Sequence, residues 1–297
     1  MSEGVTSYSP NINVYELMEI PKFEERVSGF MMVGRDGITL PGVRRDAVRS
    51  IAYVEAGIIV KSFLRKRVGP KKIRTGNKAD FTNYAGLLYT PNVAMISLLR
   101  AGRIMYEGLD KKFRELGITP YEGYITAKRV ETNDAVRDGF KARIVDSDYV
   151  RIPSLKEMPG MDLVTVDPML ATGSTDGCAI GLYEGRIKKG LPRKLYFAHM
   201  LATKIGVEHV IERLRKSPLR NVETDIIVGQ IDRGGIKGTG LDRHNYICPG
   251  VGDMGDMLAS SDVMHAREFG MTLERFKRKY PAGVRRGLES VIPLLKW

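Results

Sequence analysis

Two cysteines, one tryptophan, one glutamine and four histidines are all that 297 residues contain of these types. Cys178 and Cys248 stand seventy positions apart and cannot build a disulfide framework, so a reducing, cytoplasmic setting is expected. His199, His209, His244 and His265 show neither an H-E-x-x-H run nor any other paired metal-ligand spacing, and they are expected to be structural or exposed. Apolar runs are short as well. None approaches the roughly 18 residues that cross a bilayer, and Glu3, Glu16 and Glu19 interrupt the first twenty residues, so no signal peptide is expected. Scarce Gln and Cys lean toward a thermophile-like composition. With 43% hydrophobic and 28% charged residues, a disordered or collagen-like chain is excluded, and the length suits one large domain with extensions. Acidic residues are also in deficit. Against 47 Lys and Arg there are 35 Asp and Glu, a formal charge of +12, which points to an anionic partner: nucleic acid, a membrane surface or a phosphorylated small molecule.

That charge is uneven. Lys61 to Lys78 holds eight basic residues and no acidic one, and residues 265 to 297 hold eight Lys and Arg against Glu268, Glu274 and Glu289. Between these segments the pattern alternates strand and helix. Val93 to Leu99 is an apolar run between Pro91 and Gly102 and reads as a buried strand, followed by a helix to about Leu116 that Gly117 and Pro120 end. Further strands are expected at Tyr124 to Ala127, Leu163 to Val166, Leu195 to Leu201 and Thr224 to Gly229. Helices are expected at 43 to 66, from about 174 to Lys189, and at Val207 to Lys216. Residues 129 to 161 are polar, with Gly139, Pro153, Pro159 and Gly160, and read as a projecting hairpin or mobile loop. This alternation predicts an α/β fold with a mostly parallel central sheet flanked by helices.

The segment richest in chemistry is Val164-Thr165-Val166-Asp167-Pro168-Met169-Leu170-Ala171-Thr172-Gly173-Ser174-Thr175. An apolar strand ends in an acidic residue, and a loop of small and hydroxylated residues then opens a helix. Backbone N–H groups at such a helix start converge on an anion, aided by the helix dipole. Gly173 permits close backbone approach, while Thr172, Ser174 and Thr175 can donate hydroxyl hydrogen bonds to phosphate oxygens. Asp167 ends its strand where open α/β sheets bind ligands, placed to accept from ribose hydroxyls. An Asp-Pro turn with a Thr or Ser cap accounts equally well for the pieces taken singly. No G-x-x-x-x-G-K-[ST] run is present, and Gly252 and Gly255 lack the strand-to-helix setting of a dinucleotide fingerprint.

The run Asp167 to Thr175 resembles the phosphoribosyl-pyrophosphate (PRPP) loop of uracil phosphoribosyltransferases. Two more segments agree, in order. Leu98-Leu99-Arg100-Ala101-Gly102 is similar to the family's pyrophosphate-contacting loop, and Tyr246-Ile247-Cys248-Pro249-Gly250-Val251-Gly252-Asp253-Met254-Gly255-Asp256 is similar to its uracil-recognition loop. The similarity covers roughly residues 43 to 262 with gaps. It implies a type I phosphoribosyltransferase fold with a mobile hood loop, and conversion of uracil and PRPP to UMP and pyrophosphate in pyrimidine salvage. PRPP would meet Arg100, Arg129, Asp167, Pro168, Met169, Leu170, Ala171, Thr172, Gly173, Ser174, Thr175 and Asp253, with an unusual backbone conformation at Arg100-Ala101. The base would meet Ile247, Gly252, Asp253 and Met254, mostly through backbone groups. Mg²⁺ is expected to arrive bound to PRPP, with no ligand cage from the protein, and Asp253 to approach PRPP or its metal.

The resemblance also implies a homo-oligomer, a dimer or tetramer. Neither a membrane nor nucleic acid is expected as partner. Residues 1–80 would form an N-terminal helical extension packing on a phosphoribosyltransferase core at 81–262, and residues 263–297 a basic C-terminal helical extension. Thr272 to Tyr280 reads as an amphipathic basic helix, expected to be a solvated helix on the oligomer rather than an interface or nucleic-acid contact. Three positions depart from the family pattern. Ser174 stands where a second glycine is usual, Met254 where alanine is usual beside the base, and residues 232 to 240 carry extra glycine and basic residues. Met254 leaves open a phosphoribosyltransferase for a different base, and a non-catalytic PRPP- or nucleotide-sensing regulator on the same fold is the rival from another class.

Overall fold

A computed structural model of the chain describes residues 4–37, 39–62, 65–68, 72–74, 80–82, 86–89, 92–126, 128–137, 140–146 and 149–280; for the strands within 65–89 and 128–146 it describes backbone pairing alone. The chain begins with the strands β1 (Val5–Ser9) and β2 (Ile12–Glu16), then α1 (Pro21–Arg35) and α2 (Pro41–Ile59). A proline opens each helix at its first position, where the missing N–H costs nothing. Next come β3 (Arg65–Val68), β4 (Lys72–Arg74), β5 (Asp80–Thr82) and β6 (Gly86–Tyr89), with β3 antiparallel to β6 and β4 to β5. Then follow β7 (Val93–Leu99), α3 (Gly102–Glu115), β8 (Tyr121–Thr126), and an antiparallel hairpin of β9 (Lys128–Arg137) and β10 (Phe140–Asp146). The short β11 (Val150–Arg151) pairs antiparallel with β8. After it come β12 (Asp162–Val166), β13 (Met169–Leu170), α4 (Ser174–Glu184), β14 (Lys194–Thr203), α5 (Lys204–Arg215) and β15 (Glu223–Asp232). Three short helices close the described chain: α6 (Met254–Ala259), α7 (Asp262–Glu268) and α8 (Leu273–Lys279).

The main sheet runs β1-β2-β15-β14-β12-β7-β8-β11, with β13 beside the end of β14. From β2 to β8 every pairing is parallel, and the antiparallel β1 and β11 lie at the two edges. All ten residues of β14 are buried, as are all five of β12, which explains why these strands read as mainly apolar rather than alternating. Their side chains alternate between two cores. Met95, Val164, Tyr196, Ala198 and Ile227 pack with α1, α2 and α3 on one face. Ile96, Leu163, Leu195, Phe197 and Ile226 pack with α4 and α5 on the other. This is the α/β sheet that the alternation of elements predicts.

Boundaries moved in places. The helix expected over 43 to 66 spans Pro41–Ile59 and ends in a tight turn at Val60–Ser62, where no Gly or Pro marks a stop. The helix expected to reach Lys189 stops at Glu184, with a separate short turn at Ile187–Lys189. Only part of the segment 129 to 161 is a hairpin. Ile152, Met158 and Met161 are buried in the core, so its second half packs rather than projects. Besides α1 and α2, the first 80 residues supply β1 and β2 to the main sheet.

The C-terminal α8 docks through Phe276, with Leu273 packed beside it. Phe276 is fully buried beside Leu40 and Ala266, with ring centroids of Phe269 and Tyr280 at 5.2 and 4.9 Å. The cations of its last turn, Lys277, Arg278 and Lys279, stay exposed. A solvated helix was the expectation for 272 to 280; instead one apolar face is covered intramolecularly. Residues 281–297 and most of the basic stretch 61 to 78 lie outside the described side chains. Phe276→Ala should therefore cost about 3 kcal/mol of unfolding free energy, read as a lower urea midpoint with unchanged slope. A midpoint equal to that of the wild type would show that this docking contributes nothing.

Candidate functional site

Strand order reverses between β12 and β7. From β7 the chain passes through α3 on one face to β8; from β12 it passes through α4 on the other face to β14, on the far side. At such a point the two loops diverge and leave a crevice beyond the carboxyl ends of the strands. Arg100 follows β7 there, and Asp167 follows β12. Gly102, the first residue of α3, draws the two together. A Cβ at this position would lie 2.4 Å from the carbonyl oxygen of Val166, so only glycine lets the helix start touch the end of β12. The Leu99–Arg100 peptide is cis, one bond before the pair expected to be unusual.

The loop after β12 is held from below by β14 and α5. The Asp167 N–H donates to the Ala198 carbonyl at 3.2 Å, and the Leu201 N–H to the Pro168 carbonyl at 3.0 Å. The Thr203 hydroxyl donates to the Ala171 carbonyl at 2.6 Å while accepting from the Gly206 N–H that it caps. The Asp167 carboxylate accepts from the Met169 N–H at 3.3 Å. Gly173 sits at φ 77°, in the left-handed region, and is the N-cap of α4 without any side-chain cap. The first N–H groups of α4 thus face the crevice end of the helix, as an anion site requires. Thr172 and Ser174 hydroxyls lie 2.9 Å apart and hydrogen-bond each other.

The third loop hangs from the end of β15. Asp232, 3% exposed, takes a bidentate contact from Arg35 of α1 at 2.6 and 2.9 Å and accepts from the Gly250 N–H at 2.9 Å. Leu241 and Ile247 form an isolated antiparallel bridge, and the Cys248 N–H donates to the Gly240 carbonyl at 2.8 Å. The glycine-rich 234–240 stretch therefore builds the base of this loop. Asp253 caps α6, its carboxylate accepting from the Asp256 N–H at 3.1 Å. Arg100 pairs with Asp256 at 2.7 Å, both residues about 70% exposed (71% and 69%). Such an exposed pair contributes at most about 1 kcal/mol, so a polyanion can replace the carboxylate readily.

Together these loops enclose a cavity of about 410 Å³. Arg100, Asp167, Met169, Ala171 and Thr175 line it from one side; Ile247, Gly252, Asp253 and Met254 line it from the other. Pro168, Leu170, Thr172, Gly173 and Ser174 are not among its lining residues, and the Leu170 side chain is buried in the core beneath. Arg129 lies in β9, with its side chain outside what is described. Met254 is 2% exposed, packed in one core while closing the cavity. One lining residue lies outside all three motifs: Asn245, at φ 64°, just before the Tyr246 that opens the third. Asn is a residue that tolerates positive φ, but nothing in its neighbours marks it out as a site residue.

A buried polar pair lies under the loop. His199 of β14 is wholly buried, its Nδ1 2.8 Å from the Asp167 carbonyl oxygen. Its Nε2 stands 3.5 Å from Oδ1 of Asp176, which is 1% exposed in the first turn of α4. Neither of these two facing atoms has a hydrogen-bond partner. Burial raises Asp176 to about 7, partly opposed by its own backbone N–H. Burial lowers His199 to about 4 against the pull of Asp167.

The family model described as uracil phosphoribosyltransferase matches residues 35–258. The chain is 33% identical over 221 residues to a uracil phosphoribosyltransferase of Thermococcus sibiricus, covering 73% of this chain and 82% of that protein. It is 30% identical over 175 residues to the uracil phosphoribosyltransferase of Saccharomyces cerevisiae, covering 59% and 67%. A solved structure of an Aquifex aeolicus protein has the same fold at a TM-score of 0.58, with 24% identity, covering 82% of this chain and 97% of that one.

The shifts of the buried pair give stability a signed pH dependence. Folded Asp176 keeps its proton to about pH 7, whereas the unfolded carboxyl releases it near 3.8; stability from this group is full below 3.8 and lost as pH rises through 7. His199 works oppositely, its contribution being full above pH 6.5 and lost as pH falls through about 4. Asp176→Asn removes the first effect and leaves the second. The melting temperature of this variant relative to wild type should therefore rise steadily from pH 4 to pH 7; a difference independent of pH would contradict the assignment.

Proposed function

The chain belongs to the uracil phosphoribosyltransferase family, and from that premise we propose how its own residues carry out the transfer of phosphoribose from PRPP to uracil. The observation that carries the reading is the convergence of the Arg100 loop, the 167–175 loop and the 245–255 loop on one cavity at the point where strand order reverses. In the reaction a ring nitrogen of uracil bonds to the anomeric carbon while the bond from that carbon to pyrophosphate breaks, and the nitrogen loses its proton. Positive charge develops on the ribose and negative charge on the leaving pyrophosphate. Catalysis is then mainly positioning and charge stabilisation.

Arg100 leaves Asp256 and binds the pyrophosphate, for which a planar guanidinium offers two parallel donors. Arg129 adds a second cation. The start of α4, with Thr172, Ser174 and Thr175, receives the terminal phosphate, and Asp167 accepts from the ribose hydroxyls. The backbone at Ile247 and from Gly252 to Met254 reads the edges of the base, where unpaired donors and acceptors would reject isosteres. Asp253 faces PRPP across the cavity. Mg²⁺ bound to PRPP would neutralise part of the charge on its phosphates, with Asp253 placed to approach it.

We also propose a cytoplasmic homo-oligomer. Exposed Val263, Met264 and Phe269 on and beside α7 offer apolar surface for it, and no helix among the described residues is long and apolar enough to cross a membrane.

Formation of UMP from uracil and PRPP tests the assignment directly, with a panel of other bases as competitors. Arg100→Ala should lower turnover by about a hundredfold or more. Its melting temperature should stay close to wild type, because the pair it breaks is exposed. Wild-type turnover in this variant would remove Arg100 from the site.

A further inference from the structure

Between the phosphate-binding loop and the sheet below it lie two polar side chains that the reaction does not touch. A carbonyl oxygen only accepts, so the 2.8 Å contact from His199 Nδ1 to the Asp167 carbonyl requires the hydrogen on Nδ1. In a neutral ring Nε2 is then an acceptor. It faces Asp176 Oδ1, 3.5 Å away, also an acceptor when ionised. Two opposed acceptors, each fully enclosed and with no other partner, would each lose the hydration they had in the unfolded chain. One proton between them satisfies both.

Where that proton resides follows from the surroundings. A charged pair would have to be desolvated completely, and burial acts against both charges: it raises the carboxyl and lowers the imidazole. The neutral arrangement is favoured, with the Asp176 acid donating to Nε2 and Nδ1–H donating to the Asp167 carbonyl. A second argument agrees. Asp176 lies in the first turn of α4, the helix whose start receives a phosphate in the proposed reading. A carboxylate there would repel that phosphate; a carboxylic acid does not. The remaining groups around the pair leave this unchanged. Tyr183 of α4 is engaged with the Thr165 hydroxyl at 2.8 Å, and the Asp167 carboxylate turns to the Met169 N–H.

We propose that Asp176 and His199 are positioning residues for PRPP, a relay in which one shared proton ties the first turn of α4 to the Asp167 carbonyl and so fixes the loop that receives ribose and phosphate. The relay joins three elements through two side chains: α4 by Asp176, β14 by His199, and the end of β12 by Asp167. Asp167 is gripped through both of its backbone polar groups, its N–H by Ala198 and its carbonyl by the ring of the next residue in β14. The direction of its carboxylate into the crevice depends on that grip. This inference rests on loop 167–175 being the PRPP loop.

The test combines steady-state kinetics with ¹⁵N spectra of the histidine rings. Asp176→Ala should raise KM for PRPP about tenfold to a hundredfold while KM for uracil stays within about twofold. Asp176→Asn, whose amide donates to Nε2 without a titrating proton, should keep KM for PRPP within about threefold of wild type. Wild-type spectra should show His199 as the Nδ1–H tautomer. An Nε2–H tautomer, or a KM for PRPP in Asp176→Ala equal to wild type, overturns the relay. If Asp176→Ala fails to fold, the wild-type tautomer decides alone. A wild-type chain that makes no UMP would instead overturn the functional reading, while the tautomer still judges the relay.

Discussion

The carboxyl ends of adjacent parallel strands, with the reversal of strand order between β12 and β7, constrain everything else in this molecule. Parallel strands demand crossover helices, and the helices leaving β7 and β12 go to opposite faces. A crevice opens between their first turns for that reason alone. Gly102 sets its width, because α3 can start against the Val166 carbonyl only without a side chain. The third wall comes from the loop after β15, two strands away, and reaches the crevice because Asp232 ties Gly250 to Arg35.

Charge is distributed with the same economy of position. The chain's +12 excess points at first toward nucleic acid. The proposed site draws on little of it: Arg100, Arg129 and the uncompensated N–H groups at the start of α4. Arg100 is held ready by an exposed carboxylate rather than a buried one, so its partner can change at small cost. Beneath the loop the logic is the reverse. Asp176 and His199 are so enclosed that charge is disfavoured on either, and a neutral pair can support a phosphate site without opposing it.

Local pattern was legible wherever one physical rule dominated. β7 occupies the apolar run Val93 to Leu99 because a strand buried on both faces tolerates almost no polar residue, and α3 begins at the glycine that bounds it. The loop from Asp167 to Thr175 was visible as strand, acid, turn and helix start. Ends without punctuation were not visible: α2 stops at Ile59 with no breaker, and the edge strand β1 carries no strong periodic signal. Asn245 was missed because a loop residue joins a cavity through the path of its backbone, which neighbouring residue types do not report.

By itself the amino-acid sequence determined the α/β order of elements, the apolar strands and the three motifs, since periodicity, turn residues and residue chemistry are local properties. Only the tertiary structure decided that these motifs share one cavity, that α8 packs its phenylalanine against the core, and that Asp176 faces His199. The last of these joins residues 23 positions apart, on a helix and a strand. Whether such side chains are solvated or must share a proton depends on what encloses them, and enclosure is a property of packing alone.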